Sequence, residues 1–198
     1  MTDQLEAIDP SRAALLVMDY QVGVIGMVDD PDQLVNRVKE AIALVRDRGG
    51  AVGYVRVAFT DRDFEEVPST SRMAARVAQA GDAFHADSPT TAIDERISPE
   101  PDDIVVRKTR VGPFLTTDLD EQLRRRGIDT LVLAGISTSG VVLSTVRDAS
   151  DRDYRVVVLS DGCADREPEV HEFLTTRIFP SQATVITTAE LAELLAPA

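Results

Sequence analysis

Gly127-Ile128-Asp129-Thr130-Leu131-Val132-Leu133-Ala134-Gly135-Ile136-Ser137-Thr138-Ser139-Gly140 is the stretch that decides the fold. It opens on a glycine able to stop a helix, passes through an apolar run, and closes on a polar, glycine-bearing turn. A strand without polar alternation is one covered on both faces, as in a parallel sheet flanked by helices. Moving outward, five further runs have strand character, giving six in all: residues 13–19, 51–57, 103–108, 130–135, 154–160 and 183–187.

The segments between these runs carry helical signals. Asp30-Pro31-Asp32-Gln33 offers a capping carboxylate, a first-turn proline and a capping-box glutamine. Leu34, Val38, Ala41 and Val45 then share one face, and Gly49-Gly50 ends the helix. Thr117 caps a helix that buries Leu119 and Leu123 and stops at Gly127. Another spans residues 138–150, and Pro168 opens one with Val170, Phe173 and Leu174 inward. Thr187 and Glu190 form a capping box for the last. The alternation predicts an α/β fold, a six-stranded parallel sheet with helices on both faces, in one domain over residues 1–198. Ligands in such sheets bind beyond the carboxyl ends of the strands, so the places to search follow Met18, Val57, Lys108 and Gly135.

Composition narrows the function classes. In 198 residues, 21 basic side chains against 34 acidic ones give a net charge of -13. Nucleic acid and anionic membrane surfaces are therefore excluded as expected partners. The apolar run at residues 13–18 is far short of a membrane span, which needs about 20 residues. The early acidic residues Asp3, Glu6 and Asp9 do not suit a leader, so a cytoplasmic location is expected. Cys163 is the only cysteine, and His85 and His171 show no ligand spacing, so neither a disulfide nor a metal is expected.

Four places can carry chemistry. Asp19 follows Leu15-Leu16-Val17-Met18, where apolar neighbours can raise a carboxyl pKa; the plainer alternative is a turn or cap. Lys108 follows Ile104-Val105-Val106-Arg107 and can pair with a carboxylate and polarise a carbonyl, or simply end a strand in solvent. The turn from Gly135 to Gly140 can present backbone N–H groups to an oxyanion, or be an ordinary tight turn. It lacks the Lys-Ser/Thr of a phosphate loop, since Val141-Val142 stand there. Cys163 has no sequence neighbour to activate it and is expected to be a small buried hydrophobe. Phe59, Phe64, Phe84 and Phe114 are candidate pocket walls or core, and His85 is expected to cap a loop.

Three motifs in order resemble the isochorismatase-like, or cysteine hydrolase, superfamily. They are Ala14-Leu15-Leu16-Val17-Met18-Asp19-Tyr20-Gln21, then Val106-Arg107-Lys108-Thr109-Arg110-Val111-Gly112-Pro113-Phe114, then the stretch from Gly127 to Thr138. The resemblance implies a three-layer α/β/α sandwich and a hydrolase of a small-molecule substrate, with Asp19 and Lys108 catalytic. It also implies a cis peptide between Ile136 and Ser137, an oxyanion hole from the backbone of Ser137 and Val141, and substrate contacts from Gln21, Phe114, Thr138 and Gly140. A homo-oligomer, dimer or tetramer, is implied as well, and no cofactor. The Asp-x-His metal pattern of nicotinamidase-like members is absent from Phe59-Thr60-Asp61-Arg62-Asp63-Phe64.

One departure bears on mechanism. Where the superfamily carries its nucleophilic cysteine, this chain carries Val141. Losing a catalytic nucleophile can cost about 10⁶ in turnover. The resemblance to true isochorismatases, which carry glycine there, implies instead that Asp19 acts as general acid without a covalent intermediate. This needs an apolar surround, for which Val141, Ile25 and Phe114 are candidates. The other possibilities are a binding or regulatory protein without chemistry, and a nucleophile moved to Cys163 or a hydroxyl of the turn.

Overall fold

A computed structural model of the chain describes residues 6–195; residues 1–5, including Asp3, and 196–198 lie outside them. In chain order the elements are β1 (Ala13–Met18), α1 (Val22–Ile25), α2 (Pro31–Asp47), β2 (Ala51–Val57), α3 (Asp61–Glu66) and α4 (Arg72–Ala80). There follow β3 (Ile104–Lys108), α5 (Leu119–Arg125), β4 (Thr130–Ile136), α6 (Leu143–Asp151) and β5 (Arg155–Ala164). The chain then forms α7 (Pro168–Phe173), β6 (Thr184–Ile186) and α8 (Thr188–Leu194). All six strands run parallel in the order β3-β2-β1-β4-β5-β6.

The sheet has helices on both sides because its central strands have two apolar faces to cover. Every residue of β1 and β4 is buried. Alternate side chains of these strands enter two separate cores. Leu15, Val17, Val132 and Ala134 pack with Val35, Val38 and Val45 of α2 and with Leu191 and Leu194 of α8. Leu16, Met18, Leu131 and Leu133 pack on the other side with Leu119 and Leu123 of α5 and Val146 of α6. The helix ends follow the capping signals. Asp30 accepts a hydrogen bond from the Gln33 N–H at 3.2 Å, and Thr187 with Glu190 closes a capping box.

Two expectations need correction. β5 does not stop at residue 160 but continues to Ala164, because an irregularity opposite Leu133 and Gly135 resets its register and lets pairing resume at Cys163. Cys163 is thus a strand residue and not part of a following loop. Phe173 does not face inward but is 56% exposed: Leu174 lies four residues after Val170 on the packed face, and Phe173 falls off that face. Finally, the stretch between β2 and β3, where the alternation calls for a helix but no particular one is marked in the sequence, folds as α3 and α4. Thr60 and Asp63 form a capping box at the start of α3.

Strand order reverses around β1, whose neighbours β2 and β4 lead the chain to opposite edges. The crevice expected of such a sheet opens beyond the carboxyl ends of β1 and β4. Asp19 and Ser137 are the residues directly after those two ends.

Candidate active site

Asp19 leaves β1 with φ +58°, a left-handed conformation that aspartate tolerates better than most residues. Its N–H still donates to the Val55 carbonyl at 2.8 Å, so the turn begins while the backbone remains held by β2. Lys108 ends β3, two strands away, and its long side chain reaches back across β2. The Lys108 Nζ lies 2.8 Å from the Asp19 Oδ2, with side-chain exposures of 3% and 9%. Nζ also donates to the Arg110 carbonyl at 3.2 Å. The second carboxylate oxygen, Oδ1, is buried and has no hydrogen-bond partner.

Burial pushes the Asp19 carboxyl above the ordinary aspartate value of 3.8, and the attraction of Lys108 pulls against it without overcoming it. A carboxyl with one anchored oxygen, one unpaired oxygen and a raised pKa is suited to hold and deliver a proton. Gln21, two residues after Asp19, ties the end of β1 to the end of β2. Its amide donates to the carbonyls of Val57 (2.9 Å) and Thr91 (2.8 Å) and accepts from the Val57 N–H (2.8 Å). These backbone bonds occupy the side chain expected to contact substrate, and Gln21 is 1% exposed.

The turn after β4 is a wide helical turn, Thr138–Val142, leading into α6. The Ile136–Ser137 peptide bond is cis. The Gly140 and Val142 amides donate to the Ser137 carbonyl, and the Ser139 amide donates to Asp165 Oδ2 at 2.7 Å. Thr138 is fully buried and shares a 2.8 Å hydrogen bond with His171 Nδ1. Burial lowers the His171 pKa and favours the neutral ring, although Asp165 and Glu172 oppose this. Thr145 donates to the Val141 carbonyl at 2.7 Å and fixes the far side of the turn. Thr138 and Val141 are therefore oriented by groups on α6 and α7, and Val141 is 2% exposed.

The expected apolar surround divides between the two cores. Val141 lies in the core on the α5–α6 side and Ile25 in the one on the α2 side. Phe114 is not an open wall. It stacks on Tyr154 with centroids 6.2 Å apart, lies under the Arg152 guanidinium at 4.9 Å and is 5% exposed, so its faces are taken. Phe59 is likewise enclosed, between Phe64 and Phe84. Gly112 brings the loop after β3 so close to α6 that a Cβ there would lie 2.5 Å from Ser144 Oγ. Beside that contact, Val111, Ser139, Gly140 and Leu143 border an open depression of about 470 Å³.

Cys163 is buried, with its Sγ 3.8 Å from the Leu133 carbonyl, and burial pushes its thiol pKa up to about 12. Such a group stays protonated and unreactive near neutral pH. His85 ends a 3₁₀ turn, where its Nδ1 accepts the Asp87 N–H at 3.2 Å. After β2, Asp63 accepts from the Thr60 N–H at 2.8 Å and from Arg107 at 2.6 Å. The places of His171 and Asp165 are not legible in sequence, because hydrogen bonds spanning 33 and 26 residues leave no local pattern.

The chain matches the Isochorismatase domain family over residues 13–190. It is 34% identical over 186 residues to the uncharacterised isochorismatase family protein YwoC of Bacillus subtilis, covering 94% of this chain and 95% of that protein. It is 32% identical over 166 residues to a probable inactive nicotinamidase of Arabidopsis thaliana, covering 81% and 84%. A cysteine hydrolase from Pseudomonas syringae superposes with a TM-score of 0.83 at 26% identity, covering 98% of both chains. A domain match over nearly the whole described chain, on a doubly wound parallel sheet, places this chain in the isochorismatase-like hydrolase family.

Proposed function

We propose that the protein hydrolyses a small polar or carbonyl-containing metabolite without a cysteine nucleophile. Asp19 is the general acid and base, Lys108 holds it and offsets developing charge, and the backbone N–H groups of Ser137 and Val141 receive an oxyanion. The observation that carries this reading is the buried 2.8 Å Asp19–Lys108 pair with Asp19 Oδ1 left unpartnered. On a vinyl ether, Asp19 gives its proton to the alkene carbon, and water adds to the resulting oxocarbenium carbon. The Asp19 carboxylate then takes the proton that water releases, and the hemiketal collapses to a carbonyl and an alcohol.

The test is a panel of vinyl ethers, amides and imides assayed with the parent protein and Asp19→Asn. Loss of a general acid lowers turnover by about 10²–10⁴ on the true substrate class. Equal rates for both proteins on every substrate would remove Asp19 from the mechanism.

A second reading has one observation in its favour. Asp19, Lys108 and Val141 are each nearly closed to solvent, which suits a protein that binds a ligand and does not turn it over. A thermal-shift screen separates the two: a compound that stabilises the protein and is recovered unchanged supports binding alone.

A further inference from the structure

The α2 side of the molecule carries a second concavity, of about 180 Å³, that shares no lining residue with the proposed catalytic apparatus. Lys39, Ile42 and Arg46 line it from α2, at a helical spacing that puts them on one face. Arg96 and Ile97 approach from the segment before β3, and Tyr54 enters from β2. No carboxylate lines it, in a chain whose net charge is -13.

The two guanidinium groups are pinned from outside the cavity. Arg46 pairs with Glu100 at 2.7 Å and with Asp103, and Arg96 pairs with Asp94 at 2.8 Å and Asp32 at 2.6 Å. Lys39 makes none of the ion pairs found among the described residues. Tyr54 is 1% exposed, and its hydroxyl is buried with no hydrogen-bond partner. Buried polar groups in folded proteins are overwhelmingly hydrogen-bonded, so a hydroxyl that lies beside the Arg46 guanidinium on the cavity wall but has no acceptor calls for one from a ligand. Ile42 and Ile97, both buried, supply an apolar wall.

We propose that this cavity binds a small organic carboxylate, whose oxygens accept from Tyr54 and the cations while its hydrocarbon body rests on Ile42 and Ile97. The volume equals that of about six waters at roughly 30 Å³ each, which suits an acid of about six heavy atoms. The proposal stands whether or not the Asp19 site is catalytic.

The test is an amide NMR titration of the whole protein with butanoate, with uncharged butanamide and inorganic phosphate as comparisons. Butanoate is expected to shift amides in segments 39–46 and 96–98 saturably, with butanamide and phosphate at least about tenfold weaker. Tyr54→Phe and Lys39→Gln should each weaken butanoate by about tenfold. Because the hydroxyl has no partner in the free protein, Tyr54→Phe should melt no lower than the parent, so its loss of binding is not a loss of fold. No saturable shift with butanoate would overturn the proposal. So would equal affinity for butanamide or phosphate, or unchanged binding by Tyr54→Phe.

Discussion

Asp19 sits at φ +58° with one oxygen on Lys108 and the other unpaired. Its raised pKa gives the pH dependence a definite sign. Activity that needs the protonated carboxyl is lost as pH rises through that pKa, and Lys108→Met, by removing the downward pull, moves this limb further alkaline. Asp19→Asn should show no such limb in whatever activity remains. Each single variant breaks a buried pair, and the double variant Asp19→Asn with Lys108→Met should recover part of the loss. A coupling of about 1–3 kcal/mol is expected from urea unfolding of the four proteins. Cys163→Ala should keep the parent turnover, since a thiol held near 12 is no nucleophile; abolished activity would restore the cysteine as a candidate. At this scale the two charged residues were legible because each stands at the end of a segment with strand character. The fates of Gln21 and Phe114 were not, because local sequence does not say whether a buried side chain meets backbone, another ring or a cavity.

The turn between β4 and α6 depends on close contact with β1. A Cβ at Gly135 would lie 2.9 Å from Val142 Cγ2 and 3.3 Å from Met18 Cβ. Gly135→Ala should therefore push α6 away from the strand ends and cost about 1–3 kcal/mol in urea unfolding, with activity falling further than stability. An unchanged midpoint would mean that the contact is slack. Strands β1 and β4 could be placed from sequence because continuous burial leaves continuous apolar runs. The extension of β5 could not, because Ser160, Asp161 and Gly162 interrupt its pattern. Tyr20 helps hold the extension by donating to the Gly162 carbonyl at 2.8 Å. Helix α4 was harder to read because it is short and buries only Val77.

Across the whole molecule, an excess of acidic groups makes stability depend on a few paired carboxylates. Arg96 holds Asp94 below the ordinary 3.8. Burial pushes Asp63 and Asp129 up, but Thr60 with Arg107, and Arg12, outweigh it and hold them low. A carboxyl whose folded pKa is depressed contributes fully above its unfolded value and loses that contribution as pH falls through the folded one. Asp19 has the opposite sign, favouring the folded state at low pH and losing that contribution as pH rises from 3.8. Thr187 likewise holds Glu190 below its ordinary 4.5, so four groups against one predict a lower urea midpoint at about pH 3 than at about pH 5, and an unchanged midpoint would contradict this balance. The layered architecture was visible in sequence because alternation of strand and helix is a global pattern. The seal that dries Asp19 was not, since it brings together residues of β1 and β3 that lie far apart in the chain. That seal is what lets the carboxyl keep its proton. It is tested most directly by following the ¹³C shift of the Asp19 carboxyl through a pH titration, with Asp19→Asn to assign the signal. A midpoint clearly above 3.8, rising further in Lys108→Met, is the predicted result. A midpoint at or below 3.8 would mean an ordinary ion pair and would contradict the account.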